Sequence, residues 1–266
     1  MPQVSCRPLI IQIDLRVPFI FSNLPCWKPA FNQPVEEQKK VYRDPSFRQA
    51  FRKEMETPKV FSGRWDRAVV HEVGNPALRP LVGKSVAEIA KERGKDGLDT
   101  FLDLAIEDDL QLQYTYELFN ATEERIPELI TDPRVMVGLS DGGAHVDMLC
   151  DAGYCTYLLG TWVRDKGVLT VEQAIKRITS EPAAFYGMTQ RGTIKKGLAA
   201  DFAIFDLNTV GSKKRGEMRN DLPGGGRRLV MPARGVEYTI VNGTVLYEHG
   251  KHTGALPGQV LRSGQA

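Results

Sequence analysis

The sequence lacks any long apolar stretch, since no run of apolar residues approaches the ~18 that a membrane-spanning helix needs. Its N-terminus has no charged segment followed by an apolar block, so we expect no signal peptide. Cysteine is also sparse. Four cysteines in 266 residues fit reduced thiols better than a disulfide framework. These absences predict a cytoplasmic protein that does not bind membranes.

The sequence also lacks an excess of charge of one sign. The 35 basic residues nearly balance 33 acidic ones, so the net charge is only +2. The sequence has no basic stripe with interleaved aromatic residues, which is the usual mark of a nucleic-acid-binding surface. One basic cluster lies in a glycine-rich loop without stacking aromatics, and it consists of Lys213, Lys214, Arg215, Arg227 and Arg228. We therefore expect no nucleic-acid partner.

Histidine and cysteine, two of the residue types that bind zinc, are few. The histidines of the chain are His71, His145, His249 and His252. No two of them are separated by a single residue, and Cys150 and Cys155 have no second pair at zinc-site spacing. We favour buried thiols for these two cysteines. His71 is better explained as a partly buried strand residue than as a ligand, and the last two histidines as surface residues.

What the sequence does contain is a distinctive stretch at residues 135–145, VMVGLSDGGAH. A short apolar run closed by glycines is typical of a buried parallel strand. In α/β proteins, functional groups collect where such strands end. We therefore predict that Asp141 lies at the end of a strand, buried beside a site.

The remaining patterns predict helices first and strands later. A single strand is expected over residues 4–15, and apolar periodicity with capping residues predicts helices over residues 45–55, 85–94, 96–107, 122–130, 153–164, 169–178 and 180–187. After residue 192 we expect a short strand at 200–206 and a basic glycine-rich loop at 211–226. A hairpin should follow at residues 236–247, turning at Asn242-Gly243.

Four blocks in this order resemble part of a known family. They are SDGGAH at 140–145 after an apolar strand, the helix pair at 169–187, the segment RGTIKKGLAADFAIFD at 191–206, and TIVNG at 239–243. Together they resemble the C-terminal half of the amidohydrolase superfamily, in its N-acyl-D-amino-acid deacylase (D-aminoacylase) branch. Residues 221–229 and 253–262 point to that branch. Residues 1–129 match more loosely, with residues 3–8 similar to the penultimate barrel strand.

The resemblance implies an α/β fold, the C-terminal portion of a (β/α)8 TIM-type barrel followed by part of a small β-sandwich domain. Residues 1–190 would form the partial barrel, with a long insertion at about 17–130. Residues 191–266 would form the partial β domain and an irregular tail.

The resemblance also implies a metal-dependent hydrolase, with zinc as its cofactor, that acts on amide C–N bonds other than peptide bonds. The substrate would be a small N-acyl amino acid or a related amide. Asp141 would end the eighth strand, contact the metal or its bound water, and act as general acid/base. A metal ion lowers the pKa of bound water, and a nearby carboxylate can then accept the proton. The competing interpretation is a purely structural strand-end carboxylate.

Two further residues are candidates for substrate contacts. Arg7 is placed to clamp a substrate carboxylate bidentately, or equally to pair with a neighbouring acid. His145 would face the substrate, lie behind the residues that do, or orient the loop. These alternatives remain open at the level of the sequence.

The sequence departs from the family in one important way. Only two barrel strands are recognisable, and the His-x-His pair, the Cys, Lys or Glu ligand and the two later histidines of a full enzyme are missing. A catalytic zinc needs about three protein ligands. We therefore expect a C-terminal fragment that does not retain zinc alone and needs a missing N-terminal half for activity. The alternative is a catalytically incompetent remnant, or a binding module without metal.

Overall fold

The computed structural model describes residues 1–57, 61–143 and 145–262. Outside the described residues lie 58–60 of the expected insertion, 144 of the SDGGAH block and 263–266 of the expected β domain. The chain has a mixed α/β fold and divides into two compact units. One unit contains residues 10–119, and the other joins residues 1–9 to those from 120 onward. The expected division into residues 1–190 and 191–266 stays a prediction.

The strands are short. Across the described ranges they are β1 (Gln3–Val4), β2 (Leu9–Asp14), β3 (Ala68–Glu72), β4 (Gln113–Phe119), β5 (Met136–Val137), β6 (Phe202–Phe205), β7 (Gly211–Ser212), β8 (Glu217–Leu222), β9 (Gly226–Val230), β10 (Ala233–Arg234), β11 (Val236–Val241), β12 (Thr244–Glu248) and β13 (Lys251–His252).

The helices lie mainly before residue 190. They are α1 (Val35–Arg43), α2 (Pro45–Met55), α3 (Val86–Arg93), α4 (Gly97–Glu107), α5 (Ile126–Thr131), α6 (Tyr154–Tyr157), α7 (Val171–Ile178) and α8 (Ser180–Phe185). Helix α6 continues as a π-helix over Leu158–Asp165. Short 3-10 helices occupy Phe19–Phe21, Pro25–Ala30, Pro76–Leu81, Glu123–Arg125 and Pro223–Gly225. Within the described part of the chain, no helix combines the length and the apolar character needed to cross a membrane.

The unit of residues 10–119 is built on a three-stranded sheet with the order β2-β4-β3, in which β3 and β4 are antiparallel. Its core is aromatic. Phe21 stacks on Trp27 with ring centroids 4.0 Å apart, and Phe51 meets both rings edge-on. Helix α2 starts after Asp44, whose side chain accepts a hydrogen bond from the backbone amide of Ser46. This helix confirms the prediction for residues 45–55.

Capping residues set two helix starts, as the sequence predicts. Ser85 Oγ accepts a hydrogen bond from the amide of Glu88, and the Glu88 side chain accepts one from the amide of Ser85. Gly94 then ends α3 in the left-handed conformation, with φ 64°. Thr170 and Gln173 cap α7 in the same reciprocal way. These contacts are local, so the sequence pattern is enough to predict them.

The second unit has its own apolar core beneath a pair of parallel strands. Strands β1 and β5 pair with Gln3 opposite Met136 and Val4 opposite Val137. Helices α5, α6 and α7 and the π-helix supply most of the core. Its buried members are Cys6, Ile126, Ile130, Val137, Tyr157, Leu158, Leu159, Trp162, Leu169, Ala174 and Val210.

The antiparallel sheet of the same unit has the order β13-β12-β11-β6. Strands β11 and β12 form the predicted hairpin, and Asn242 and Gly243 turn it with φ angles of 48° and 78°. Two positive φ values are typical of the tight turns that fit the twist of a hairpin. The prediction for residues 236–247 is therefore confirmed.

The single strand expected over residues 4–15 is wrong. The chain forms β1, leaves the strand conformation after Val4, and begins β2 at Leu9 in a different sheet. The carbonyls between the two strands bind side chains. Asn120 Nδ2 donates to the carbonyl of Ser5 at 3.0 Å, and Trp162 Nε1 donates to that of Cys6 at 2.6 Å. These partners come from distant parts of the chain, so the sequence pattern does not reveal the break.

The glycine-rich loop expected over residues 211–226 is also wrong in its second half. Strands β8 and β9 form an antiparallel hairpin with Arg219 opposite Arg228. Gly224 and Gly225 adopt φ angles of 71° and 75° in the connection, a region that glycine enters at little steric cost. Charged residues interrupt the apolar alternation of both strands, which is why the segment resembles a loop.

Gly160, in the π-helix, packs closely against backbone. A Cβ atom there would lie 2.6 Å from the Val210 carbonyl oxygen, so β7 must move to admit it. Overpacking destabilises by about 1–3 kcal/mol, and the better helix propensity of alanine offsets up to about 1 kcal/mol. We expect Gly160→Ala to lower the free energy of unfolding in urea. Gly258→Ala is the control, since nothing lies within 4 Å of its added Cβ. Equal stabilities would contradict the clash.

Candidate active site

The candidate site lies where the two parallel strands of the second unit end. Because β1 and β5 run in the same direction, the segments that follow them emerge side by side. The amides of Gly138 and Leu139 both donate to the carbonyl of Val4, at 3.2 and 3.4 Å. In parallel α/β architectures this end of the strands is where binding and catalytic groups collect. The geometry therefore brings the end of β1 next to residues 138 and 139.

Asp141 lies in a turn beyond strand β5, not at the strand end that the sequence predicts. Strand β5 ends at Val137, which lies opposite Val4, the last residue of its parallel partner β1. Asp141 has φ 45°, a left-handed conformation that residues other than glycine adopt infrequently. The hydroxyl of Ser140 accepts a hydrogen bond from the amide of Gly142 at 3.2 Å and closes the turn. The Asp141 side chain is partly exposed, so the prediction that it is buried is wrong. Its catalytic role stays a prediction.

His145 follows on the same loop and is exposed. It also has a positive φ of 45°, and its carbonyl accepts hydrogen bonds from the amides of Met148 and Leu149. The residue therefore begins the turn that returns the loop to the core at Leu149, which is buried. This geometry agrees with an orienting role, and a substrate contact by His145 stays a prediction.

Arg7 pairs with an acid, which is one of the two alternatives that the sequence leaves open. Its Nε lies 2.9 Å from Asp151 Oδ1, and both side chains are buried, with 0% and 3% exposure. Nη2 donates to the backbone carbonyl of Lys214. The guanidinium carbon lies 5.3 Å from the centre of the Tyr157 ring, within cation–π range. Binding of a substrate by Arg7 stays a prediction.

Asp151 is the residue of this site that the sequence patterns did not identify. Its amide donates to the carbonyl of Ser140 at 3.1 Å, and its own carbonyl accepts from the amide of Tyr154 at the start of α6. It thus joins the helix to the turn that carries Asp141. The available signal is weak, since Asp151 is the only charged residue in the apolar stretch of residues 148–163.

The donor set of the described residues does not suit a zinc ion. Asp141 supplies one carboxylate, and the described residues contain no group of three or more His, Cys, Asp or Glu side chains that could hold a metal. His71 belongs to strand β3 of the other unit, while His249 and His252 lie exposed near the β12–β13 hairpin. His249 Nδ1 there contacts a carboxylate oxygen of Glu237. The ligands of a catalytic zinc would have to come from other protein segments.

Cys6 belongs to the apolar core of the same unit, and its thiol donates a hydrogen bond to the carbonyl of Tyr154 at 3.2 Å. Burial raises the pKa of this thiol to about 12. The thiolate is the form that alkylating reagents attack, so at pH 8 the reactive fraction falls by about three orders of magnitude from that of an ordinary cysteine. We expect iodoacetamide to leave Cys6 unmodified in the native chain and to modify it in urea. Rapid native modification, read by peptide mass spectrometry, would show that the thiol is accessible.

Comparison with known proteins gives a consistent picture. A model of the amidohydrolase family matches residues 53–247. An uncharacterized protein of Mycobacterium tuberculosis is 31% identical over 245 residues, which cover 86% of this chain and 39% of that protein. A D-aminoacylase of Alcaligenes xylosoxydans xylosoxydans is 27% identical over 183 residues, covering 68% of this chain and 34% of the enzyme. The chain thus spans about two fifths or less of the length of these relatives.

Among solved structures, a similar chain is the N-acyl-D-glutamate deacylase of Bordetella bronchiseptica, in complex with zinc and a phosphonate inhibitor. It is 23% identical, and the match covers 86% of this chain and 52% of that one. The TM-score is 0.47, so this superposition adds nothing to the argument from the residues themselves.

Proposed function

This chain belongs to the amidohydrolase family, in the D-aminoacylase branch, and from this premise we propose that it forms part of a metal-dependent enzyme that hydrolyses the amide bond of N-acyl amino acids. Asp141 is the general acid/base of that enzyme. The named relatives in this branch, a D-aminoacylase and an N-acyl-D-glutamate deacylase, support an acylated D-amino acid as the substrate class.

One observation carries the proposal. The turn at residues 140–143 presents a partly exposed carboxylate a few residues beyond the end of strand β5, which pairs in parallel with β1. The portion of a (β/α)8 barrel that the family implies would place its active site at this end of the strands. The hydrogen bond from the Gly142 amide to the Ser140 hydroxyl gives the carboxylate a defined place in this turn.

The proposed chemistry is a proton transfer at the carboxylate of Asp141. Water attacks the acyl carbonyl carbon, a C–O bond forms, and Asp141 accepts the proton that the water loses. Asp141 then donates this proton to the amide nitrogen as the C–N bond breaks, which releases a carboxylic acid and an amine, and the acid loses its second water-derived proton to solvent or to the amine. General acid–base catalysis by one positioned group typically contributes about 10²–10⁴-fold in rate.

The zinc ligands of the enzyme would come from protein segments other than the described residues, because one carboxylate cannot hold the ion. We therefore propose that activity requires the additional length that the relatives possess, in a longer polypeptide or as a separate chain.

The test is to assay this chain alone and together with the remainder of a family catalytic domain, joined or co-expressed. The substrates would be N-acetyl derivatives of D- and L-amino acids, including glutamate and methionine. We expect deacylation only by the assembled protein, with loss of activity in a zinc chelator and recovery on adding zinc. An assembled, zinc-loaded protein without deacylase activity would refute the proposal.

The alternative, a binding module without metal, makes a different prediction for the same preparations. In that case neither the chain alone nor the assembled protein contains stoichiometric zinc by elemental analysis. A chelator then leaves the melting temperature of both unchanged. A chelator-sensitive melting temperature of the assembled protein would exclude this alternative.

A further inference from the structure

We propose that Arg7 and Asp151 are positioning residues: their buried ion pair fixes the turn that carries Asp141 relative to the end of strand β1. This inference rests on the proposed function, because that function is what gives the turn with Asp141 a catalytic purpose. The structural part, that the pair holds the turn in place, is independent of the reaction.

The first step is that the segment after β1 is itself immobile. Three side-chain hydrogen bonds hold the backbone of residues 5–7: Asn120 Nδ2 and Trp162 Nε1 donate to the carbonyls of Ser5 and Cys6, and Ser5 Oγ donates to the carbonyl of Arg7 at 3.1 Å. Two of these donors, Asn120 and Trp162, belong to other segments of the unit. Arg7 therefore projects from a backbone that is fixed on several sides.

The second step is that the Arg7 side chain is fully enclosed. Asp151, the Lys214 carbonyl and the face of Tyr157 surround the guanidinium, and none of its surface is exposed. With water excluded, the attraction between the two charges is weakly screened. A buried pair of this kind has one favoured geometry, in contrast to an exposed pair whose partners exchange with water.

The third step connects the pair to Asp141. The Asp151 amide donates to the Ser140 carbonyl, so the residue whose side chain binds Arg7 holds the peptide next to Asp141 with its backbone. Asp141 adopts a left-handed φ of 45°, which costs a residue other than glycine free energy, so the contacts that hold the turn also hold this conformation. The path from Arg7 to the turn thus contains one side-chain ion pair and one backbone hydrogen bond.

The enclosed guanidinium also separates this role from a substrate clamp. A clamp must present two N–H groups to an incoming carboxylate. Here Nε faces Asp151 and Nη2 faces the Lys214 carbonyl, and Nη1 is buried with no hydrogen-bond partner among the described residues. A positioning residue affects kcat through Asp141, whereas a clamp affects KM through substrate affinity.

Hydrogen exchange on the full chain tests the structural part. The reporter is the amide of residue 151, and the internal reference is the amide of Ala174, which donates to the Thr170 carbonyl in α7 of the same unit. In Arg7→Met we expect exchange at residue 151 to rise at least about tenfold relative to the reference. The double variant Arg7→Met/Asp151→Leu removes both charges and keeps the test valid if the single variant fails to fold.

The matched control is Arg228→Met, which removes an exposed arginine–aspartate pair in the β8–β9 hairpin. It should leave the ratio of the two exchange rates unchanged. If the double variant folds and its ratio is also unchanged, the pair does not hold the turn and the proposal is overturned. A parallel rise at both amides would mean that the pair only stabilises the unit, and would overturn it equally.

Kinetics of the assembled enzyme test the functional part. We expect Arg7→Met and Asp151→Asn to lower kcat at least about tenfold with KM nearly unchanged. A raised KM with an unchanged kcat would identify Arg7 as a substrate clamp and refute the positioning role. If the wild-type assembly is inactive, the proposed function fails, while the exchange ratios still decide whether the pair holds the turn.

Discussion

Replacing Asp141 by asparagine is expected to lower kcat of the assembled enzyme by about 10²–10⁴-fold, the range that one general acid/base group typically contributes. Asparagine has nearly the same size and keeps a hydrogen-bonding oxygen, so the left-handed turn should survive. Asn tolerates this backbone conformation at least as well as Asp. The loss of kcat should therefore come from the missing acid/base group and not from a changed turn. KM should change little, because the amide side chain still occupies the same place.

The control for this variant is Asp147→Asn on the same loop. Asp147 is exposed and lies 4.0 Å from the guanidinium of Arg227, so it is a carboxylate of similar setting away from the turn. It should retain wild-type kcat and KM. Steady-state kinetics on an N-acetyl-D-amino acid measure both variants. Equal activities of Asp141→Asn and the wild type would remove Asp141 from the mechanism.

Replacing Arg7 by methionine is expected to lower the free energy of unfolding by about 3–5 kcal/mol, because removal of one partner leaves the buried charge of the other without its compensation. Methionine approximates the length of the aliphatic part of arginine and fills much of the same volume. The expected decrease in the free energy of unfolding therefore comes mainly from the buried charge of Asp151, whose side chain is 3% exposed. Urea denaturation measures the change, provided that the free energy of unfolding depends on urea concentration with the same slope in the variant and the wild type.

A double-mutant cycle separates this effect from simple loss of packing. Arg7→Met/Asp151→Leu should be less destabilised than the sum of its single variants, and it should approach the wild type, since apolar residues of similar volume often replace a buried ion pair without loss. Arg228→Met should not shift the urea midpoint, because its pair with Asp221 is exposed on both sides. Additive single effects would show that Arg7 and Asp151 are not coupled.

The family assignment made from short sequence blocks is confirmed. The blocks lie mostly after residue 130, whereas the family model already matches from residue 53. The earlier half is less recognisable because its patterns are generic: helices α2 and α3 follow from capping and periodicity, which many folds share. The order of several weak blocks identified the family that no single block specifies.

The sequence predicted the strand before Asp141 but not where that strand ends. The segment with Asp141 does follow a parallel strand, but that strand ends at Val137, and Asp141 lies in a turn beyond it. An apolar run of residues does not reveal how many of them find a neighbouring strand. That number depends on β1, which is more than a hundred residues away in the sequence.

The sequence by itself determined the helix caps at Ser85 and Thr170 and the hairpin turn at Asn242, because each depends on contacts within a few residues. Only the tertiary structure decided that Arg7 faces Asp151, that Trp162 binds the Cys6 carbonyl, and that the chain breaks its strand after Val4. The physical reason is the same in each case. A buried charge or carbonyl takes whichever partner the packed core brings to it, and that partner carries no mark of the pairing in its own local sequence.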